Sequence, residues 1–455
     1  MKQIMAALLI ALSIGVSVPA PAGDEVRLTE SERIYGLSQI WKEASYNFAF
    51  FDQVPDLDLD VEFRAHLPWV LDAINTYEYY RVLQRFCALL EDGHTNVYIP
   101  DDLRKRHEDQ PAIQTREAGG QAIVTRIEAS LATVVPPGSV VMSVDGIETG
   151  TYLRERIFPY ICSSTEHIRW SNGVRQLLVG KPGSEVALEI RRPDGSMTTL
   201  TAMRDAGSRD VTWTDYMGRR RGDALLEINW LDDQIVYVAL NSFGDQHIVD
   251  EFKARWDEIK TARGVILDLR FNCGGSTDVG TAILAHFTDT PLTGSAWRSR
   301  KHVAVYKAWS FFADRYESLA EYRSYATGDV WETGGQSTLE PGVEAIVVPV
   351  VVLIGRETAS AAEDFLIYAD TLEHVITVGE PTFGSTGQPL SFPLPGGGQC
   401  RICTKRDTYP DGRDFVGVGV LPDVPVERAA TYYLDDRDEE LVTAMQVIRG
   451  QIDRD

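Results

Sequence analysis

From residue 235 onward, short runs dense in β-branched residues alternate with segments of helical spacing, and this alternation constrains the architecture more than any other feature. The runs at 235–240, 264–269 and 345–354 are apolar almost without interruption, as strands buried on both faces must be. Helical periodicity follows each: up to Lys260, then at 279–287, then at 359–370. Strand–helix–strand order of this kind predicts an α/β layer in which a sheet is covered by helices.

A chain of 455 residues exceeds one ordinary domain, and its other parts have different patterns. One apolar stripe (Ile34, Leu37, Ile40, Trp41) and a second (Tyr79, Val82, Leu83, Phe86, Leu90) predict a helical region over 23–105. It should end at Glu91-Asp92-Gly93-His94-Thr95, where glycine stops the helix and an extended segment follows. Between 110 and 205, short β-type runs separated by Pro137-Gly138, Asp145-Gly146 and Asp194-Gly195 predict a small β-rich module. The core is expected over 225–430, with a lid-like insertion at about 298–340 rich in aromatic and charged residues, and a C-terminal helix over 431–455.

Residues 1–22 combine Lys2, an apolar run and Ala20-Pro21-Ala22, the pattern of a cleaved export signal. The alternative, an uncleaved anchor, needs a run of about 20 apolar residues, and this run is shorter. No cysteine follows it to carry a lipid, and no later segment is long and apolar enough to span a bilayer. The expected product is therefore extracytoplasmic, periplasmic or secreted. A formal charge of −23 argues against nucleic acid and anionic membrane surfaces as partners. The five cysteines (Cys87, Cys162, Cys273, Cys400, Cys403) are an odd number, so disulfide pairing cannot use them all within one chain. Cys400 and Cys403 have CxxC spacing, but nothing supplies the other ligands of a zinc site. Structural or disulfide roles are expected, with no metal and no cofactor.

Ser360 falls where the run at 350–354 passes into a helix, so unpaired backbone N–H groups and the positive helix end converge beside its hydroxyl. A serine there is often only a helix cap. A second element changes the balance: the strand at 264–269 leads into Arg270-Phe-Asn-Cys-Gly274-Gly275, and paired glycines can bring backbone amides close to a substrate carbonyl.

The sequence Leu-Asp-Leu-Arg-Phe-Asn-Cys-Gly-Gly at 267–275 resembles the strand-loop signature of the tail-specific, C-terminal processing serine proteases (peptidase family S41). Thr358-Ala-Ser360-Ala-Ala-Glu363 resembles the block around their nucleophile. Blocks at 379–388 and 417–423 follow in the family's order, so the resemblance spans roughly the whole mature chain. It implies a crotonase/ClpP-like α/β core that hydrolyses polypeptide substrates through an acyl-enzyme. Residues 138–146 and 183–195 resemble the PDZ domains of exported proteases, which implies strand addition of a peptide; a module that only positions its neighbours is the alternative. The segment at 152–181 departs from the compact PDZ pattern.

One departure from the family bears on mechanism. Where the bacterial processing branch has a lysine base, this chain has Ser385 followed by Thr386, so no Ser-Lys dyad can form there. A hydroxyl cannot deprotonate Ser360 at neutral pH, and another base is needed. His94 resembles the histidine of the tricorn-like branch, and Asp414 resembles, with a shorter side chain, the position of that branch's glutamate. The expected set is thus Ser360, His94 and Asp414 as the triad, Ser385 as an auxiliary, and the amide of Ala361 with that of Gly274 or Gly275 as oxyanion donors. Two other readings remain open at this level: acyl-thioester chemistry on the same core, and a catalytically inactive peptide- or lipid-binding protein on the scaffold. Oligomeric state is undefined.

Overall fold

The computed structural model describes residues 27–215, 222–232, 234–433 and 437–454. The expected export signal at 1–22 lies outside them. The predicted α/β layering is present as a six-stranded sheet in the order Val424–Pro425, Val375–Gly379, Val350–Ile354, Gly264–Asp268, Ile235–Leu240, Leu226–Trp230. All neighbours are parallel except the last pair, which is an antiparallel hairpin. Side chains alternate across the sheet. Val236, Val238, Val265, Leu267, Val350 and Val352 meet the helices His247–Ala254, Thr277–Leu284 and Ala361–Ala369 through Phe252, Ile283 and Phe365. Ile235, Ile266, Val351, Leu353 and Val378 meet Ala444, Ile448 and Ile452 of the C-terminal helix Glu439–Ile452. The three central strands, 235–240, 264–268 and 350–354, are buried on both faces, which is why they are almost wholly apolar.

The N-terminal helices Glu30–Asn47, Leu59–Asp72 and Thr76–Ala88 share their core with the sheet, through Leu37, Ile40, Tyr79, Leu83 and Phe86. The third helix ends at Ala88, and the residue that turns the chain is Glu91 (φ 47°), not Gly93. The next strand, Asn96–Tyr98, pairs with Gln399–Cys403, which in turn pairs with Pro389–Pro393. This small sheet carries residues from the first hundred of the chain to its C-terminal part, so the chain around residue 94 is set by long-range pairing.

The β-rich module is a sheet in the order Ile113–Ala118, Gln121–Ile127, Val140–Val144, Glu185–Arg191, Met197–Met203, with its own core of Val124, Val144, Val186 and Leu188. The helix Glu166–Gln176 packs on its first strand, and Thr115 Oγ1 donates to Val174 O at 2.6 Å. In the 298–340 region, Ala296–Arg300 pairs with both Trp331–Gly334 and Lys405–Thr408.

None of the five cysteines is in a disulfide. Cys87 lies against Cys162 and Cys400, while Cys403 Sγ is 3.5 Å from Thr386 O. Residues three apart on a strand point to opposite faces, so the CxxC pair is split. Among the described residues no helix is long and apolar enough to cross a membrane.

Candidate active site

The strand Val350–Ile354 delivers the chain to Ser360, which caps the helix Ala361–Ala369 with φ 57° and ψ −123°. A non-glycine residue there costs about 1–3 kcal/mol and persists only where its surroundings hold it. They do so here from both sides. Ala359 N donates to Asn272 O at 3.0 Å, Thr358 Oγ1 to Leu269 O at 2.8 Å, and Ser360 N to Glu363 Oε2 at 3.1 Å.

The glycine loop starts from an ion cluster. Arg270 Nη2 reaches Asp268 at 2.6 Å and its Nη1 reaches Asp438 at 2.8 Å and Glu440 at 2.5 Å, all buried. The Asp-Leu-Arg motif therefore locks the strand end to the C-terminal helix and does not enter the site. Beyond it, Asn272 is fully buried, donates to Leu240 O at 2.8 Å and accepts from Gly274 N at 2.9 Å. That second bond corrects the expected oxyanion set, because the Gly274 amide is already occupied. Gly274 serves by its shape instead. At φ 90° it lies so close that a Cβ would be 2.7 Å from Ser360 Cβ and 2.9 Å from Ala361 N. The amides of Gly275 and Ala361 make no hydrogen bond within the described residues and remain as open donors. A Cβ on Gly275 (φ 142°) would sit 2.2 Å from the Phe243 carbonyl carbon, so substitution there would disturb the fold as well as the site.

His94 reaches the site because Gly93 has no side chain: a Cβ there would lie 2.5 Å from Phe383 Cε1 and 3.1 Å from Ser385 Cβ. With that approach possible, His94 Nδ1 is 2.7 Å from Ser385 Oγ, and the same hydroxyl donates to Asp92 Oδ1 at 3.1 Å. A hydroxyl has one proton. If it goes to the carboxylate, the oxygen accepts from Nδ1–H, and Nε2 is left as the bare, basic nitrogen. Asp92 Oδ1 also accepts from Ser164 Oγ at 3.1 Å, whereas its buried Oδ2 has no partner. Burial pulls the imidazole below its ordinary value. Asp92 opposes this and Arg401 reinforces it.

The carboxylate expected beside His94 lies elsewhere. Asp414 pairs with Arg406 at 2.7 Å, and Arg406 also binds Asp52, so a guanidinium and not an imidazole takes up the Asp414 charge. Asp92, two residues before His94, is the acid that the hydroxyl of Ser385 connects to the ring. Nothing in the sequence marks Asp92 for this role, because neighbours in a loop do not declare which way they point.

Glu363 was also missed, although Ser-x-x-Glu is a recognisable helix-start pattern. Its fully buried carboxyl accepts from Ser360 N (3.1 Å) and Ser385 N (3.2 Å) on one oxygen. The other oxygen accepts from Thr382 Oγ1 (2.5 Å) and Gly384 N (2.7 Å). It fastens the nucleophile turn to the loop that holds His94. Burial pushes this carboxyl up to about 8 against the effect of its four donors.

Ser360 and His94 line one cavity of about 550 Å³ together with Cys273, Gly275, Phe383 and Arg401. No direct hydrogen bond joins the two side chains. The wall over them is formed by Ile168, Ser171, Asn172 and Arg175 of the module helix Glu166–Gln176, while no residue of the 298–340 insertion lines the cavity. The segment at 152–181 thus contributes to the cavity lining through its helix Glu166–Gln176.

Residues 234–426 match peptidase family S41. The chain is 26% identical over 370 residues to "Carboxyl-terminal-processing peptidase 2, chloroplastic" of Arabidopsis thaliana, covering 77% of this chain and 61% of that protein. It is 25% identical over 358 residues to "Carboxyl-terminal-processing protease" of Picosynechococcus sp., covering 77% and 74%. The crystal structure of mature CPAF superposes with a TM-score of 0.73 at 16% identity, covering 94% of this chain and 98% of that one, a likeness of fold. The segment that matches peptidase family S41, residues 234–426, holds the glycine loop, the Ser360 turn and the Ser385 loop.

Proposed function

We propose that the chain is an extracytoplasmic serine endopeptidase that cleaves polypeptides through an acyl-enzyme on Ser360, with His94 as the general base. The observation that carries this reading is the 2.7 Å contact between His94 Nδ1 and Ser385 Oγ, continued at 3.1 Å to Asp92, in the cavity that Ser360 shares.

Ser360 Oγ attacks the scissile carbonyl as its proton passes to His94 Nε2. The new imidazolium keeps its Nδ1–H on Ser385, and the buried Asp92 side chain beyond that hydroxyl stabilises the positive charge. The tetrahedral oxyanion takes hydrogen bonds from the Gly275 and Ala361 amides, each such donor being worth about 2.7–4 kcal/mol. His94 then returns the proton to the leaving amine, and water on the same path releases the acyl group. The β-rich module, with its PDZ-like sequence blocks, would offer a sheet edge to an extended substrate. Export rests on the pattern of residues 1–22.

The test is labelling of the folded protein by a fluorophosphonate. Wild type should react at Ser360, Ser360→Ala should not, and His94→Gln should react at least about 100-fold more slowly. An unreactive but folded wild type would favour the inactive, ligand-binding reading of the scaffold.

A further inference from the structure

Resting on the peptidase reading, we infer that Arg401 selects substrates carrying a carboxylate beside the scissile bond. Arg401 lies in the central strand of the small sheet, Gln399–Cys403, opposite Asn96 on one side and Ser391 on the other, and it lines the cavity that holds Ser360 and His94. Two other arginines line that cavity, and both are neutralised. Arg175 pairs with Glu357, and Arg356 pairs with Glu117 and with Glu380, the latter at 2.9 Å.

Arg401 has no such partner. No carboxylate among the described residues pairs with it, and its Nε is buried without a hydrogen bond. Its polar contact is one long bond from Nη2 to Gly93 O at 3.4 Å, on a carbonyl that already accepts from Asn96 Nδ2 at 2.7 Å. The Tyr98 ring, 5.4 Å away, supports one face of the guanidinium without neutralising it. A partly buried guanidinium with open donors, in a chain whose net charge is −23, is an unusual placement that an incoming anion would complete. The planar fork matches a carboxylate in two parallel bonds, which an amide cannot reproduce. A peptide offers that group from an Asp or Glu side chain or from a free C-terminus.

The test uses quenched-fluorescent peptides in which each position near the cleaved bond carries Glu or Gln, each made with a C-terminal acid and a C-terminal amide. Rates are measured on the plateau of the pH profile. Wild type should favour the carboxylate by about tenfold or more at one position, in kcat/KM. The Glu/Gln arm identifies a side chain, and the acid/amide arm a chain end. Arg401→Gln should reduce that ratio to about one, and Arg401→Lys should keep part of it. Equal rates on both members of every wild-type pair, or a preference that survives Arg401→Gln, would overturn the inference. Binding of the same peptides to Ser360→Ala, read by fluorescence anisotropy, separates the two claims. Hydrolysis without a carboxylate preference refutes the role of Arg401 alone. Carboxylate-selective binding without hydrolysis by wild type refutes the peptidase reading and leaves Arg401 as the anchor.

Discussion

His94 Nδ1 lies 2.7 Å from Ser385 Oγ, so the group that orients the imidazole is a hydroxyl, with the carboxylate of Asp92 one bond further on. Removing either should cripple the base without unfolding the protein. Asp92→Asn is expected to slow acylation about 100-fold or more and Ser385→Ala about 10- to 100-fold. The double variant should be little worse than Asp92→Asn, because the two act in series. Asp414→Asn, which loses only a partner of Arg406, should keep most activity. Single-turnover acylation measures all four, and a collapse in Asp414→Asn with a mild Asp92→Asn would reverse the assignment.

Burial lowers the His94 pKa, Asp92 raises it and Arg401 lowers it. The base works when neutral, so kcat/KM should fall with decreasing pH through a value below the ordinary 6.5. Arg401→Gln removes a lowering influence and should move this acidic limb upward, whereas Asp92→Asn should move it downward. A pH–rate profile for each variant gives the sign directly, and a limb that both substitutions leave in place would speak against His94 as the titrating group.

Glu363 titrates near 8 in the folded state against 4.5 as its ordinary value. The folded protein therefore holds an extra proton between those values, and stability should decline as pH rises through this window. The melting temperature is expected to fall from pH 5 to pH 9. Glu363→Gln, which turns an amide donor toward groups that are all donors, should be less stable by about 2–3 kcal/mol and show a flatter dependence. A slope unchanged in that variant would assign the titration to another carboxyl, such as Asp407, held at about 6.

Gly93 and Gly274 are required for close approach. Gly93→Ala would press Cβ against Phe383 and Ser385, and is expected to cost about 1–3 kcal/mol and at least about tenfold in activity by driving His94 from its hydroxyl. Gly274→Ala adds a Cβ 2.6 Å from Ala359 O at a φ of 90°, and should abolish fluorophosphonate labelling. Denaturant unfolding beside labelling rates separates the two effects, and full labelling of Gly274→Ala would show that the loop does not abut the nucleophile.

Much of this was legible in the residues. Apolar runs at 235–240, 264–269 and 345–354 predict strands covered on both faces, and the third strand begins only at Val350. The strand-to-helix junction at Ser360 and the paired glycines were equally local, because a turn chemistry is written in consecutive residues. What failed was partnership. Asp414 was paired with His94 by its place before a glycine-rich block, yet Arg406, eight residues earlier, stands beside it in space. Nor does the order of residues show that the side chain of Asn272 occupies the Gly274 N–H.

The order of residues along the chain is enough to specify periodicity, turns and a nucleophile at a helix start, since each depends on interactions spanning a few positions. It does not specify which buried charge meets which. Asp92, Ser385 and Arg401 lie up to 309 positions apart, and only the pairing of Asn96–Tyr98 with Gln399–Cys403 and the closure of the Ser385 loop over Gly93 bring them to one cavity. Electrostatic partners are chosen by distance through space, and that distance exists only after the sheets have closed.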